Sequence, residues 1–572
     1  MKLAAAQINT RACDIVGNIR KIEEFWDKAE AQGVDLMVTP EQSVSGYPLD
    51  DMAANPDVLE ASKKGLEYLI EKSKGRKTAI LVGLPEQDED GKIYNASYII
   101  DNGECVGKVR KQHLPNYDVF DEKRIYTEGP RTEPIEFRGQ LLGVPICEDG
   151  WHPDVIADLV EKGAQAIIWP NASPFYVGKH HDRLDQVLTQ RIVREGNNIP
   201  VLYVNQVGGQ DEVVFDGYST AMNADGKIAM LAQGFEENLE VLDLKFSDKK
   251  PASFKKGNIH KIDERLEETW NALVLGLRDY IGKSGIRNKK AMLGMSGGID
   301  SAVVAALAVD ALGAENVMLY KLPSQYSSDH SIADSDEAAK FLGCNIEEIA
   351  IQPSVDALWS TVRPFFNDSA RESAVSLTEE NIQARLRGVI LMALSNANGG
   401  LLLSTGNKSE VSVGYCTLYG DMNGGFNPLK DVPKMVVYAL ADWRNKNYPR
   451  NVKGPDGMVM PQNIIDKKPS AELRPDQVDE ESLPPYPVLD DILQRYVEQE
   501  QSIADIVNET GYERDMIEDM IRKTDLAEFK RRQACPGIKI TPRSFGKGRR
   551  VPIARPNTAG MQRDVQQALR IG

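Results

Sequence analysis

The 572-residue chain carries 68 Lys and Arg against 85 Asp and Glu, a net charge of −17, with 41% hydrophobic and 27% charged residues. This is the composition of a folded chain of two to four domains at roughly 100–200 residues each. It excludes a generic phosphate-backbone binder, whose affinity comes from clustered Lys and Arg, so no nucleic-acid partner is expected and any anionic ligand must be held locally.

Lys2 is followed only by Leu3 to Ala6 before Gln7, too short for the roughly 7–15-residue core of a signal peptide. The run Ala302–Val309 stops at Asp310, short of the roughly 18 residues a membrane span needs, so no membrane passage is expected. Cys13, Cys105, Cys147, Cys344, Cys416 and Cys535 are scattered without a CxxC pair, which indicates neither a zinc site nor a disulfide framework. A reducing cytoplasm is the expected location.

Through residue 245, strand-like runs at Leu3–Ile8, Val34–Thr39, Thr78–Leu84, Gln140–Ile146, Gln165–Trp169 and Val201–Val207 alternate with helical periodicity at Asn18–Ala31, Ala61–Ser73 and Leu184–Glu195. The pattern predicts an α/β domain with strands covered on both faces. Phe246–Asn258, polar, Lys-rich and broken by Pro251, reads as a linker. Ile262, Leu266, Trp270, Leu273, Leu277 and Ile281 then share one helix face. After them come strand Ala291–Met295, helix Ser301–Leu312, strand Val317–Leu322, helix Ser331–Leu342 and strand Asn345–Ile351, the order of right-handed βαβ units on a parallel sheet. Pro449–Gly457 and Gln477–Pro487 are Pro- and charge-rich and read as loops.

Gly294, Met295, Ser296, Gly297, Gly298, Ile299, Asp300 and Ser301 span the first strand-to-helix junction of that second pattern. Free N–H groups at a helix start, with glycines that allow close backbone approach, form a phosphate cradle. It is not a Walker A loop, because Leu277 stands where Gly282–Ser284 would need an upstream glycine. The same run also fits a GxSxG nucleophile elbow, but only His330 follows Ser296, whereas a serine hydrolase of that type needs an acid and then a late histidine.

The loop resembles the SGGxDS signature of the ATP-pyrophosphatase group. Leu322–Ser328, Asn381–Arg387, Ser404–Glu410, Tyr419–Asp421 and Phe529–Gln533 are similar, in order, to the blocks of the NAD synthetase family. This resemblance implies adenylation of the deamido-NAD carboxylate by ATP and attack of ammonia on the mixed anhydride. It implies Asp300 and Glu410 as Mg²⁺ ligands, Thr405 beside ATP, and Asn381, Glu410, Tyr415, Cys416, Thr417, Leu418 and Lys530 around deamido-NAD. Taken singly, Asp300 also reads as a helix-start carboxylate and Glu410 as a solvated charge.

In the first half, Glu41 and Cys147 each follow an apolar run, and Lys111 lies in a basic cluster with Lys108 and Arg110. A thiolate needs a nearby cation or base, which Lys and Glu supply. A lone Cys at a strand end also reads as a small buried hydrophobe, and the basic cluster as surface charge. Pro40-Glu41, Lys111–Tyr117, Ile146–Asp149, Asn171–Pro174 and Asn205–Gly209 resemble the nitrilase (carbon–nitrogen hydrolase) superfamily. That resemblance implies Glu41 as general base, Lys111 as oxyanion stabiliser and Cys147 as nucleophile toward glutamine, with Tyr117, Ser173 and Lys179 as glutamine contacts. Lys179 offers the glutamine carboxylate a point charge rather than a bidentate fork.

Together the resemblances imply a nitrilase-like α-β-β-α sandwich over 1–245, a linker over 246–261, and a parallel-sheet, Rossmann-like adenine nucleotide α-hydrolase domain over 262–572. They imply glutamine, deamido-NAD and ATP as substrates, a channel for ammonia, and a homo-oligomer of two or more chains. The alternative is an amidase fused to a module that senses nucleotide without catalysis.

Overall fold

In the computed structural model, which describes residues 1–572 apart from 248, 287, 368–370, 470–471, 475–478, 480–481 and 570–572, the chain forms two units, Met1–Arg265 and Leu266–Gly572. No helix among the described residues is long and apolar enough to cross a membrane.

The first unit begins with β1 (Lys2–Gln7), α1 (Ile15–Ala31), β2 (Leu36–Val38), α2 (Pro56–Lys72), β3 (Ala79–Gln87), β4 (Ile93–Asp101) and β5 (Glu104–Arg110). Asp14 caps α1 by accepting the Gly17 N–H, and Asn55 caps α2 ahead of Pro56 in its first turn. Next come β6 (Ile135–Phe137), β7 (Gln140–Gly143), α3 (Pro153–Glu161), β8 (Ala166–Asn171) and α4 (Lys179–Asp182), which runs into wide π-type turns over Arg183–Arg194. The unit closes with β9 (Val201–Asn205), β10 (Val207–Gln210), β11 (Val213–Asp216), β12 (Thr220–Met222), β13 (Ile228–Leu231), β14 (Asn238–Lys245) and β15 (Ser253–Phe254).

Among the described residues these strands build a seven-stranded sheet in the order β15-β14-β1-β2-β3-β4-β5, a six-stranded sheet β13-β12-β9-β8-β7-β6, and the ribbon β10-β11. Side-chain alternation explains the layers. Leu3 and Ala5 of β1 join Ile168 of β8 and Leu202 of β9 in one core between the sheets. Ala4 and Ala6 face outward onto Ile22 and Trp26 of α1, and Ile167 and Trp169 onto Ile156 and Leu159 of α3. The result is the α-β-β-α sandwich.

Two differences from the sequence reading concern this unit. Pairing of β7 ends at Gly143, so Val144-Pro145-Ile146 lie beyond the strand; Pro145 has no N–H for a ladder. The stretch 246–261 is not a free linker. Ser253 and Phe254 pair with Lys245 and Leu244, Ala252 and Phe254 are buried between the sheets, and the Asp263 N–H reaches the Tyr218 hydroxyl. The lysines on either side of this short edge strand stay in water while Ala252 and Phe254 pack inward.

The second unit contains α5 (Arg265–Lys283), β16 (Ala291–Gly294), α6 (Ile299–Leu312), β17 (Val317–Lys321), α7 (Asp329–Leu342), β18 (Ile346–Glu348), α8 (Gln352–Val362), α9 (Glu372–Asn398) and β19 (Leu401–Leu402). Its sheet is parallel, in the order β18-β17-β16-β19, so the chain order reverses at β16. Ligands bind outside the carboxyl ends of strands at such a reversal. Beyond it, α10 (Lys408–Val413) starts with an Asn407/Glu410 capping box and ends at Gly414. It is followed by α11 (Lys434–Lys446) and, further on, by Tyr486–Leu493 and Arg514–Leu526, which pack with Phe545 in a separate apolar cluster. Gln477–Pro487 lies partly outside the described residues; Tyr486 and Pro487 already belong to the helix Tyr486–Leu493.

Candidate active sites

In the first unit, β2, β5 and β7 each release their chain toward the same place. Glu41 comes three residues past β2, Lys111 directly after β5, and Cys147 after Ile146; Glu41 and Lys111 are fully buried and Cys147 nearly so. Lys111 Nζ donates to Glu41 Oε1 at 2.7 Å and to Glu122 Oε1 at 3.0 Å. Burial works against the Lys111 ammonium, but Glu122 and Glu41 outweigh it and hold its pKa well above the lysine value. The cation is therefore permanent.

The Cys147 thiol is pushed well up by burial and by Glu41, against the pull of Lys111. It rests as the neutral thiol, so any reaction through it requires a base within reach. Glu41 is held in place by Asn95 Nδ2, which donates to Oε1 at 2.7 Å, and by the Ala172 N–H, which donates to Oε2 at 3.2 Å. Cys147 has φ +45°, in the left-handed region that costs a residue with a Cβ about 1–2 kcal/mol. Trp169 Nε1 steadies this bend by donating to the Cys147 carbonyl at 2.9 Å.

The three expected glutamine contacts differ in setting. The Tyr117 hydroxyl donates to Glu148, 3.0 Å from Oε2. Ser173 is buried, with its N–H donating to Asn205 Oδ1 at 2.9 Å. Lys179 Nζ lies over the rings of Trp151 and Tyr176, at 4.1 and 4.8 Å from their centroids.

In the second unit, a cavity of about 550 Å³ opens at the end of β16. Of the expected nucleotide and substrate residues, Gly294–Ser296, Gly298–Asp300, Asn381, Thr405, Glu410, Tyr415–Thr417 and Lys530 line it. Gly297, Ser301 and Leu418 are not among its lining residues, and each makes a local contact beside it. Gly297 has φ +74°, and a Cβ there would come within 2.4 Å of the Ser331 carbonyl oxygen. Ser301 Oγ donates to the Gly298 carbonyl at 2.9 Å and accepts from the Ser296 N–H at 3.3 Å, closing the loop on itself. Leu418 offers its carbonyl to Arg385 Nε at 3.2 Å. No side chain caps α6 at Gly298, which leaves the first N–H groups of that helix for a ligand. Lys530 Nζ is bonded to the carbonyls of Gly414 and Cys416, both at 2.7 Å, and so braces the Tyr415–Leu418 turn.

Asp300 and Glu410 converge, and the group between them is one that sequence reasoning missed. Lys434 Nζ donates to Asp300 Oδ2 at 2.5 Å and to Glu410 Oε1 at 3.0 Å, while Asn407 Nδ2 donates to Asp300 Oδ1 at 2.9 Å. Burial raises the Glu410 pKa to about 7 despite Lys434. Lys434 left one signal: it opens α11, where the helix dipole disfavours a cation. Glu122, pushed by burial to about 7, left none, because it sits in the charged run Asp121–Arg124, which reads as solvated.

Residues 2–252 match the carbon-nitrogen hydrolase family model and residues 269–534 the NAD synthase model. The glutamine-dependent NAD(+) synthetase of Synechocystis sp. is 42% identical over 96% of this chain and 98% of its own. The chain belongs to the glutamine-dependent NAD(+) synthetase family. The Rhodobacter capsulatus family member is 41% identical over 96% of this chain and 98% of its own. The solved Acinetobacter baumannii family member, in complex with ADP, superposes with a TM-score of 0.75 at 38% identity, covering 98% of this chain and 99% of that one. Family membership accounts for a carbon-nitrogen hydrolase part and an NAD synthase part in one chain.

Proposed function

We propose that this chain amidates deamido-NAD to NAD, using ATP and ammonia released from glutamine in its first unit. The observation that carries the reading is the burial of Glu41, Lys111 and Cys147 together, with Lys111 hydrogen-bonded to Glu41 and both charges bearing on the Cys147 thiol. Glu41 takes the Cys147 proton as sulfur attacks the glutamine carboxamide carbon, and the Lys111 ammonium faces the oxyanion that forms. The C–N bond breaks, the proton held by Glu41 leaves with ammonia, and water cleaves the thioester to glutamate with Glu41 again as base. Tyr117, Ser173 and Lys179 are assigned to glutamine.

In the second unit the nicotinate carboxylate attacks the α-phosphorus of ATP, pyrophosphate leaves, and ammonia displaces AMP from the adenylate. A carboxylate needs such a leaving group before an amine can displace it. The uncapped start of α6 and the Gly294–Ser301 loop are assigned to the phosphates, Thr405 to ATP, and Asn381, Glu410, Tyr415–Leu418 and Lys530 to deamido-NAD.

The donor set also fits Mg²⁺. Two carboxylates already converge on one cation, and Mg²⁺ uses one or two carboxylates plus phosphate and water rather than an all-protein cage. Among the described residues no group of three or more His, Cys, Asp or Glu is placed to hold a metal alone, consistent with a site completed by substrate. When bound at Asp300 and Glu410, Mg²⁺ would neutralise phosphate charge. The six cysteines are all free, which supports a reducing cytoplasm. The homo-oligomer remains an expectation for solution mass to test.

The deciding experiment supplies deamido-NAD, ATP and Mg²⁺ with either glutamine or ammonium and follows NAD, AMP and glutamate. Cys147→Ala should abolish glutamine-supported synthesis and keep ammonium-supported synthesis, more so as pH rises and the neutral amine grows. Glutamine hydrolysis by Cys147→Ala, or NAD formed without AMP, would overturn the reading.

A further inference from the structure

The two loops that carry Lys111 and Cys147 are tied together by one carboxylate that the chemistry above does not use. Asp149 is almost completely buried. Its Oδ1 accepts the N–H groups of Gln112 at 2.8 Å and His113 at 2.7 Å, the two residues after Lys111. Its Oδ2 accepts the N–H of Ile146 at 2.9 Å, the residue before Cys147, and the Asp149 N–H returns to the Ile146 carbonyl at 3.0 Å. A single rigid three-atom group thus spans from the loop of the oxyanion cation to the bend of the nucleophile. We propose that Asp149 is a positioning residue of glutamine hydrolysis, setting the distance between the Lys111 ammonium and the Cys147 sulfur.

The chemistry of the group suits this task. A carboxylate has four lone-pair directions and no donor, so it can bind N–H groups from two loops at once, and charge-assisted bonds are roughly twice as strong as neutral ones. Burial pushes its pKa up to about 6 against the pull of the three N–H groups and of Lys111, so at neutral pH it is ionised. Glu148 and His113 flank it without replacing it: Glu148 accepts from Tyr117, and the His113 ring meets Asp154. The loops need such a tie because Cys147 sits in the strained left-handed region and would relax if released. Lys111 is held on its other side by backbone bonds to Asn95 and Gly129, both 2.8 Å, and Cys147 by Trp169, while Asp149 supplies the tie between the two loops.

The inference rests on the glutaminase reading, and the test separates the two. Asp149→Asn keeps the size but turns a donor toward an N–H. Glutamine hydrolysis should lose about 10²-fold in kcat, the cost of a misplacement near 1 Å, with KM within about threefold. Asp149→Glu, which keeps charge and solubility but displaces the loops, should lose about tenfold in kcat, again without a change in KM. Ammonium-supported NAD synthesis should be unchanged in both, showing the second site intact, and the unchanged KM for glutamine shows that the first unit is folded around its own site. Wild-type kcat in either folded variant, or a loss confined to KM, overturns the positioning role. Glutamine hydrolysis that survives Cys147→Ala would instead remove the glutaminase reading on which it stands.

Discussion

Lys434 Nζ sits 2.5 Å from Asp300 Oδ2, joining the first turns of two helices, α11 and α6. The dipole at a helix start favours Asp300 and opposes Lys434, so the lysine is held there by the carboxylates it meets. Removing one partner of a buried pair leaves an uncompensated charge and costs about 3–5 kcal/mol. Lys434→Gln should therefore lower the unfolding temperature, and millimolar Mg²⁺ should raise it again by more than it raises the parent. Equal Mg²⁺ responses in thermal denaturation would show that the carboxylates do not need a cation.

The same carboxylates should govern synthesis whatever the nitrogen source. Asp300→Asn and Glu410→Gln replace charged oxygens with neutral amides, which Mg²⁺ binds less well. NAD formation should fall with ammonium as well as glutamine. Parental rates in both variants would remove the metal role.

Glu41→Gln keeps the bond to Lys111 but cannot take the Cys147 proton. General-base catalysis contributes roughly 10²–10⁴-fold, and steady-state glutamine hydrolysis should drop by that order while Cys147 stays alkylatable. Undiminished hydrolysis would move the base elsewhere.

Glu122 predicts a pH dependence of stability. Its folded pKa, about 7, lies above the usual carboxylate value, so between those two values the folded chain binds more protons than the unfolded one. Stability contributed by this group is complete below the unfolded pKa and is lost as pH rises through about 7. Denaturant titrations of the parent and of Glu122→Gln should show the parent losing ground relative to the variant over that window. Parallel curves would mean Glu122 titrates normally.

Gly297→Ala tests the phosphate loop by shape alone. The new Cβ would meet the Ser331 carbonyl at 2.4 Å in a backbone region that only glycine occupies freely. ATP affinity, measured by calorimetry, should fall at least tenfold. Unchanged affinity would mean the loop tolerates the shift.

Much of this molecule was legible in its sequence because strands buried on both faces must be apolar and helix starts need capping groups. Leu3–Ile8, Gln165–Trp169 and Ala291–Met295 appear as strands, and the Gly294–Ser301 junction as an uncapped helix start, within a residue or two. Glu41 and Cys147 stand out because each follows such a run, whereas Lys111, in a basic cluster, stands out only through the resemblance of Lys111–Tyr117 to the nitrilase superfamily. The edge strand β5 escapes the periodicity because a sheet edge tolerates charge, and 246–261 reads as linker because most of its described residues do face water. What only the tertiary structure decided is which charges lose their water. Glu122 in a run of surface-like charges, Asp149 beside the nucleophile, and Lys434 at a helix start are ordinary polar residues in one dimension. Packing removes them from solvent and gives each partners more than ten residues away, and desolvation then makes those pairings obligatory.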